Sequence, residues 1–273
     1  MRASRRSFVK AVGGATAAIA AFFGLAGRDF TLFTKAVAPS NGGKPRKWVM
    51  VIDLERCDGC KKCTEACINE NLVPPTFGAE PSFQGFQEWI KVFELNHEEG
   101  AAHQHQEAGA HLPTPCMNCQ NAPCVKVCPV GATFYSEDGI VLIDNTRCIG
   151  CRFCMAACPY ERRFFNWGEP PHSAQEQLIE YDPRYPVPHR RGTVEKCMFC
   201  AHRVEKGRLP ACVEACNKAG MKAIYFGDAF EDVVTNGSEV VRLSELLSRR
   251  GGYRLKEELG TKPRVYYLPP TGR

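Results

Sequence analysis

The cysteines of this chain fall into four groups of four, and the spacing within each group is that of metal ligands. Cysteine accounts for 16 of the 273 residues, and none lies outside the groups. The first and third groups share the spacing C-x2-C-x2-C-x3-C. In chain order the groups are Cys57, Cys60, Cys63 and Cys67; Cys116, Cys119, Cys124 and Cys128; Cys148, Cys151, Cys154 and Cys158; and Cys197, Cys200, Cys212 and Cys216.

This spacing predicts iron–sulfur clusters. A C-x2-C-x2-C loop places three thiolates around one face of a cubane, and the fourth cysteine, on the helix that follows, ligates a different cluster. Each motif therefore needs a second motif to complete it, and four motifs make two pairs. Because all sixteen ligand positions are filled, we expect four [4Fe–4S] clusters.

Proline after the fourth cysteine separates the groups into an inner and an outer pair. Cys128-Pro129 and Cys158-Pro159 have the C-P ending of bacterial ferredoxins, which the first and fourth groups lack. Exchanging the fourth ligand within each pair predicts four sets of cysteines, named here by letter. Set A is Cys57, Cys60, Cys63 and Cys216; set B is Cys67, Cys197, Cys200 and Cys212; set C is Cys116, Cys119, Cys124 and Cys158; and set D is Cys128, Cys148, Cys151 and Cys154.

An internal repeat relates the first and third groups. The pattern I-D-x-x-R-C-x-G-C occurs at residues 52–60 and again at 143–151, an offset of 91 residues. Apolar runs at Trp48–Ile52 and Ile140–Ile143 lead into the two copies and predict strands. We expect the shared glycine to allow a tight turn close to the cluster.

Two other uses of cysteine compete with this interpretation. Cysteine-rich exported chains are commonly disulfide scaffolds, but such chains are small, and a bridge within C-x2-C is strained. Zinc sites favour separated C-x2-C pairs. The fourth group alone fits that arrangement, whereas the first and third do not. Iron–sulfur ligation is the interpretation that explains all four groups together.

The N-terminus predicts export. Residues 4–10, S-R-R-S-F-V-K, resemble a twin-arginine motif, and an uncharged stretch of 17 residues follows from Ala11 to Gly27. A soluble amphipathic helix is the alternative, which so long a stretch without charge disfavours. Cleavage after Ala38 and retention as an anchor both stay open, because Pro39 follows the cleavage pattern. We expect residues 1–38 to direct the protein to the periplasmic side of the cytoplasmic membrane.

The net charge of the chain lies in that same segment. The chain has 35 Lys and Arg against 30 Asp and Glu, which gives a formal net charge of +5. Residues 1–38 alone have a net charge of +5, so the remainder of the chain is neutral. The neutral remainder indicates no nucleic-acid surface. Seven cations beside the motifs either offset cluster charge and raise cluster potentials, or are ordinary solvated side chains. They are Arg147, Arg152, Arg162, Arg163, Arg190, Arg191 and Lys196.

With these motifs, the chain resembles the four-cluster ferredoxin-type subunits of membrane-bound respiratory oxidoreductases of the dimethyl sulfoxide and polysulfide reductase type. The resemblance covers residues 45–230 and rests on Pro115–Cys119, Pro123–Ala132, Cys158–Tyr160, Lys196–Cys200 and Leu209–Cys216. It implies an α+β fold of two pseudo-symmetric bacterial 2[4Fe–4S] ferredoxin-like modules, one inserted in the other. The expected domains are an outer module at 45–112 with 186–230, an inner module at 113–170, and a C-terminal docking extension at 231–273.

The resemblance also implies a function. Such subunits relay single electrons without catalysis of their own, between a polytopic quinone-interacting membrane subunit and a cytochrome c or a molybdopterin enzyme. A freestanding periplasmic polyferredoxin is the alternative. Three segments are similar to the periplasmic iron–sulfur subunit O of the Dsr membrane complex of sulfur metabolism, and menaquinone reductase-type subunits are similar as well. These segments are Phe164–Trp167, Tyr225–Asp228 and Tyr253–Pro270.

The rest of the chain indicates no catalytic site. It has no G-x-x-x-x-G-K loop, no H-E-x-x-H motif and no spare cysteine. The segment Asn96–Ala110 contains or adjoins four histidines, which make a weak metal site, and an insertion loop is favoured. We expect a loop-rich connection at residues 168–190, and a strand at Arg264–Leu268 that packs against the modules. The four histidines are His97, His103, His105 and His111.

Overall fold

The computed structural model describes residues 46–77, 84–95, 110–172, 174 and 176–271. The predicted export segment lies outside these ranges, and so does the part of the histidine-containing segment that carries His97, His103 and His105. Within the ranges described, no helix combines the length and the apolar character that a membrane crossing requires.

The described chain contains both short helices and short strands, in agreement with the expected α+β class. The helices are α1 (Lys62–Asn71), α2 (Pro123–Lys126), α3 (Phe153–Ala156), α4 (Ala201–Val204), α5 (Ala211–Lys218) and α6 (Leu243–Arg250). The strands are β1 (Trp48–Asp53), β2 (Pro75–Phe77), β3 (Gln84–Phe86), β4 (Lys91–Leu95), β5 (Ala110–Thr114), β6 (Thr133–Tyr135), β7 (Val141–Ile143), β8 (Phe164–Phe165), β9 (Val194–Glu195), β10 (Ile224–Asp228), β11 (Val233–Thr235), β12 (Val240–Arg242) and β13 (Val265–Leu268).

A five-stranded sheet of order β12-β11-β10-β1-β13 joins the two ends of the described chain. Strand β1 pairs antiparallel with β10 and parallel with β13. All six residues of β1 are buried, because both faces of the sheet are covered. Met50 and Ile52 belong to the larger apolar core, and Val49 and Val51 belong to a second core on the opposite face. The strand predicted at the first apolar run is therefore confirmed.

Helices from paired cysteine groups pack against each other. Helix α1, from the first group, contacts α5 from the fourth, and α2, from the second group, contacts α3 from the third. The same pairing of helices thus occurs in the outer and the inner pair of groups. Strand β7, predicted from the second apolar run, leads into the third group after pairing with β6.

Short strand pairs close the remaining loops. Strand β8 pairs with β9, so that Phe164 lies opposite Glu195 at the base of the loop-rich connection at residues 168–190. That connection contains one 3₁₀ turn, Glu176–Leu178, and otherwise runs as loop where it is described. Strand β4 pairs with β5, which brings the two sides of the histidine-containing segment together.

The C-terminal residues are part of the central sheet. The predicted strand is confirmed as β13, whose residues Tyr267 and Leu268 are fully buried. Helix α6 is held by Arg250, which pairs through Nη1 with the Oδ2 of Asp53 at 3.1 Å. The Asp53 side chain is only 1% exposed, and a carboxylate so deeply buried is stable only when it is paired. The domain boundaries stay predictions.

Candidate metal centres

All sixteen cysteines lie in the described part of the chain, and each carries a free thiol. The sequence predicts that each cluster is held by three cysteines of one group and the fourth cysteine of its partner group. Two cavities of the structure bear on this prediction. One is lined by all four cysteines of set D, and another by all four of set B. In each cavity, three cysteines come from one sequence group and the fourth from its partner group.

The thiols of set A are also neighbours. Burial raises the pKa of the Cys63 thiol to about 12, and the thiols of Cys57 and Cys216 add to that rise. Burial raises the pKa of Cys216 as well, and Cys60 is among the charges that add to it. Helix α5 therefore brings the last cysteine of the fourth group to the loop of the first group.

The thiols of set C meet in the same way. Burial, and after it three neighbouring thiols, raise the pKa of the Cys119 thiol to about 12. Because each thiol disfavours charge on the others, a set of four thiolates needs metal to hold it together. The three neighbours of Cys119 are Cys116, Cys124 and Cys158.

The four sets follow one another in a single series. Burial is the main cause of the raised pKa of Cys67, Cys197 and Cys154, and in each case a thiol of an adjacent set adds to the rise. These electrostatic interactions relate A to B, B to C and C to D. The pairs are Cys67 with Cys63, Cys197 with Cys116, and Cys154 with Cys124.

The two middle sets are buried, whereas the two end sets reach the surface. Every cysteine of sets B and C is buried except Cys158, which is partly exposed. At one end of the series, Cys60 of set A is exposed. At the other end, three cysteines of set D are partly exposed. They are Cys128, Cys148 and Cys151.

N–H groups point at the sulfurs of the outer pair. The backbone nitrogen of Ala223 donates to Cys216 Sγ at 3.2 Å. The side-chain Nδ2 of Asn71 lies 3.7 Å from Cys67 Sγ and 3.9 Å from Cys200 Sγ, both of set B. Such donors stabilise charge on sulfur and are among the features that tune iron–sulfur clusters.

The inner pair shows the same arrangement at Cys128. Burial acts to raise the pKa of this thiol, but hydrogen bonds from the backbone of Thr133, Val130 and Ala132 outweigh it and hold the pKa below its usual value. The thiolate is the form of cysteine that ligates metal. Four sulfurs in each set, N–H donors aimed at several of them, and the cavities lined by sets B and D together fit [4Fe–4S] clusters.

In each cysteine group, the residue two positions after the first cysteine lies in the left-handed backbone region. The sequence predicted this for Gly59 and Gly150, whose φ angles are +77° and +70°. Asn118 and Phe199 occupy the equivalent positions with φ of 42° and 53°. Those two were missed, because no glycine marks either position; asparagine is enriched in that conformation, but phenylalanine is not. Superposition of the four C-x2-C segments would have revealed them.

His111 is the described member of the four histidines, and it packs on the first cysteine group. A Cβ built on Gly59 would lie 2.6 Å from the His111 imidazole. The ring therefore covers the turn between Cys57 and Cys60, and glycine is required beneath it.

Comparison with protein families identifies the cysteine-rich region. Residues 108–175 and 176–229 match a family model described as a 4Fe-4S dicluster domain, and residues 56–132 match a second model with the same description. Together the matches include every cysteine of the chain.

Curated relatives extend the similarity over most of the chain. It is 41% identical over 233 residues to a selenate reductase subunit of Mesobacillus selenatarsenatis, which covers 81% of this chain and 72% of that protein. It is 40% identical over 228 residues to a putative dimethyl sulfoxide reductase iron-sulfur subunit of Halobacterium salinarum, covering 80% and 78%. It is also 40% identical over 233 residues to the menaquinone reductase iron-sulfur cluster-binding subunit of Nitratidesulfovibrio vulgaris, covering 81% and 88%.

The turn at Gly150 provides a test of how the backbone shapes set D. In Gly150→Ala the new Cβ would lie 2.3 Å from the carbonyl oxygen of Gly192, in a left-handed conformation. We expect the purified protein to lose about four iron atoms per chain, the content of one cluster. Iron and labile sulfide assays on anaerobically purified protein measure this loss.

Gly131→Ala is the matched control, since Gly131 is also left-handed and close to Cys128 but has open space around its Cβ position. This control should retain its iron, because left-handed strain alone costs only about 1–2 kcal/mol. Equal iron content in the two variants would contradict the role given to close packing at Gly150.

Proposed function

This chain belongs to the family of 4Fe-4S dicluster iron–sulfur subunits of respiratory reductase complexes, and from that premise we propose that it relays single electrons in the periplasm between a quinone-interacting membrane subunit and a second redox partner. Membership of the family makes it an electron-transfer subunit with no catalysis of its own. Its sixteen cysteines hold four [4Fe–4S] clusters, rather than zinc ions or disulfides.

We assign one cluster to each of sets A, B, C and D. The observation that carries this assignment is that all four cysteines of set B line one cavity and all four of set D line another, although each set is drawn from two sequence groups. When bound, the clusters supply one-electron redox chemistry. The chain contributes thiolates, N–H donors to sulfur, and an interior that excludes water from sets B and C.

The arrangement of the sets in series supports a relay. Sets B and C are enclosed, so that exchange with a partner is confined to the two ends, at sets A and D. Partners that dock at opposite ends do not compete for one surface. A subunit joining two other proteins requires this property.

Three large apolar side chains are exposed beside set D. Ile149 is 65% exposed, Phe153 is 60% exposed and Trp167 is 58% exposed. Ile149 borders the cavity of set D, and Arg152, which also borders it, lies over the Trp167 ring at 4.8 Å. Exposed apolar surface of this kind marks a site of protein contact. We propose that this apolar end docks on the polytopic membrane subunit.

The surface around set A is charged instead. Lys61 and Lys62 follow Cys60 and are exposed, and Asp58 precedes it. Charged surfaces favour partners that are steered by electrostatics, so we propose that the cytochrome c or molybdopterin partner docks here. The name of the menaquinone reductase relative supports the quinone link. The similarity of Phe164–Trp167 to subunit O of the Dsr complex supports a place in sulfur metabolism.

The exchange of fourth ligands predicts an asymmetry between two double variants. Cys116→Ala with Cys158→Ala removes two ligands from set C, so three [4Fe–4S] clusters should remain. Cys148→Ala with Cys158→Ala removes one ligand each from sets D and C, so two should remain. Mössbauer spectra of iron-57-labelled protein count the intact clusters, against about sixteen iron atoms in the wild type. If two clusters remained in the first double variant and three in the second, each sequence group would hold its own cluster.

The apolar end provides a test of docking. Ile149→Ser with Phe153→Ser should abolish co-purification with the membrane subunit after mild detergent extraction, while all four clusters are retained. Phe230→Ser is the control, since Phe230 is 65% exposed on the turn between β10 and β11. Unchanged co-purification of the double variant would refute docking at set D. Wild-type protein that purifies alone would favour the freestanding polyferredoxin.

The export route is tested separately. Arg5→Lys with Arg6→Lys should leave the cluster-loaded protein in the cytoplasmic fraction, because the twin-arginine route requires the arginine pair. Arg2→Lys, outside the pair, should not affect export. Periplasmic recovery of the double variant would refute the twin-arginine assignment without affecting the relay.

A further inference from the structure

Arg163 is buried beside set D without a carboxylate partner. It is only 4% exposed, and its Nη1 donates at 3.2 Å to the Oγ1 of Thr133, which lines the cavity of set D. Its Nε and Nη2 are buried with no hydrogen-bond acceptor. Burial acts to lower the pKa of Arg163, but the charges of Cys124 and Cys154 outweigh it and raise the pKa. One of these cysteines belongs to set C and the other to set D.

Lys196 occupies the corresponding position between set B and set C. It is fully buried, and its Nζ donates to the carbonyl oxygen of Cys197 at 2.7 Å. The Oδ1 of Asn118 lies 3.5 Å from the same nitrogen. The side chain of Asn118 in turn reaches the carbonyl oxygens of Cys116 and Cys197, which belong to sets C and B. The ammonium group is therefore at the junction of the two sets.

Another deeply buried cation shows what an ordinary partner looks like. Arg203 is also 4% exposed, and it forms ion pairs with the carboxylates of Glu70 and Glu214. In the described part of the chain, neither Arg163 nor Lys196 forms an ion pair with Asp or Glu. An unpaired buried charge is costly, so both cations require a counter-ion of another kind.

We propose that the clusters themselves are these counter-ions, and that Arg163 and Lys196 are positioning residues that set cluster reduction potentials: Arg163 for the clusters of sets C and D, and Lys196 for those of sets B and C. A [4Fe–4S] cluster with four thiolates carries net negative charge, which increases on reduction. A nearby cation in a poorly solvated interior stabilises the reduced form and raises the potential. This inference rests on the proposed ligand assignment.

Set C is therefore the set on which both cations act. A third cation, Arg162, interacts electrostatically with Cys158 and Cys116 of this same set. The carboxylates of Glu161 and Glu88 also interact with Arg162. Set A is different, because the carboxylate of Asp58 acts on its thiols, including Cys57. The cluster of set A thus serves as an internal reference that neither buried cation should affect.

Arg163→Gln tests the first half of the proposal. EPR-monitored redox titration should show lower reduction potentials for the clusters of sets C and D. The expected change is about tenfold in the equilibrium constant for reduction, which equals about 59 mV for a one-electron couple. The signals are assigned by their loss in Cys116→Ala and Cys128→Ala variants. Arg147→Gln is the control, since Arg147 precedes Cys148 but is 68% exposed and paired with Asp144. It should shift no potential by a comparable amount.

Lys196→Met tests the second half. It should lower the potentials of sets B and C and leave D unchanged, so that the two variants overlap only at set C. Arg163→Lys keeps the charge and should keep the potentials of sets C and D close to wild type.

Three results would overturn the proposal. The first is an equal shift in Arg163→Gln and Arg147→Gln. The second is unshifted potentials in Arg163→Gln and Lys196→Met while four clusters are present. The third is loss of iron in both Arg163→Gln and Arg163→Lys, since this would indicate that the shape of the arginine side chain matters rather than its charge. A wild-type protein without four clusters would refute the ligand assignment instead.

Discussion

The burial of sulfur charge is the constraint on which this structure depends. Thiols such as Cys63 and Cys119 lie in surroundings that raise their pKa to about 12, yet thiolate is the form that binds iron. The protein meets this constraint with iron, with N–H groups such as that of Ala223, and with buried cations at the junctions between sets. Each of these contributions comes from a different part of the chain. The sites therefore form only when those parts are folded together.

In the proposed ligand assignment, the exchange of fourth ligands makes the cysteine groups depend on one another. Helices α1 and α5 contact each other, as do α2 and α3, and each pair unites residues that are far apart in sequence. The central sheet reinforces this dependence, since β1 lies between β10 and β13. Residues that follow β1 thus start set A, while residues that precede β10 complete it. In this assignment, neither end of the described chain forms its site alone.

Differences along the series have functional consequences. The middle sets are enclosed, which protects them from water and limits exchange to the ends. One end presents apolar side chains such as Phe153, and the other presents charged ones such as Lys61. The buried cations Arg163 and Lys196 lie at interior junctions instead. In the two proposals, docking and reduction potential therefore depend on different residues, and each is expected to change without loss of the other.

The sequence alone determined the number and type of clusters, the strands at Trp48–Ile52 and Ile140–Ile143, and the glycine turns, because spacing, apolar runs and glycine are local features. It also predicted which cysteines combine, by the ferredoxin rule of exchanged fourth ligands, and that assignment stays a prediction for the double variants. Only the tertiary structure decided the order of the sets and the parallel pairing of β13. It also decided that Arg163 and Lys196 are buried whereas Arg147 is exposed. These properties depend on which distant segments pack together, and an arginine beside a cysteine motif reads the same in sequence whether solvent or a second cluster lies beyond it.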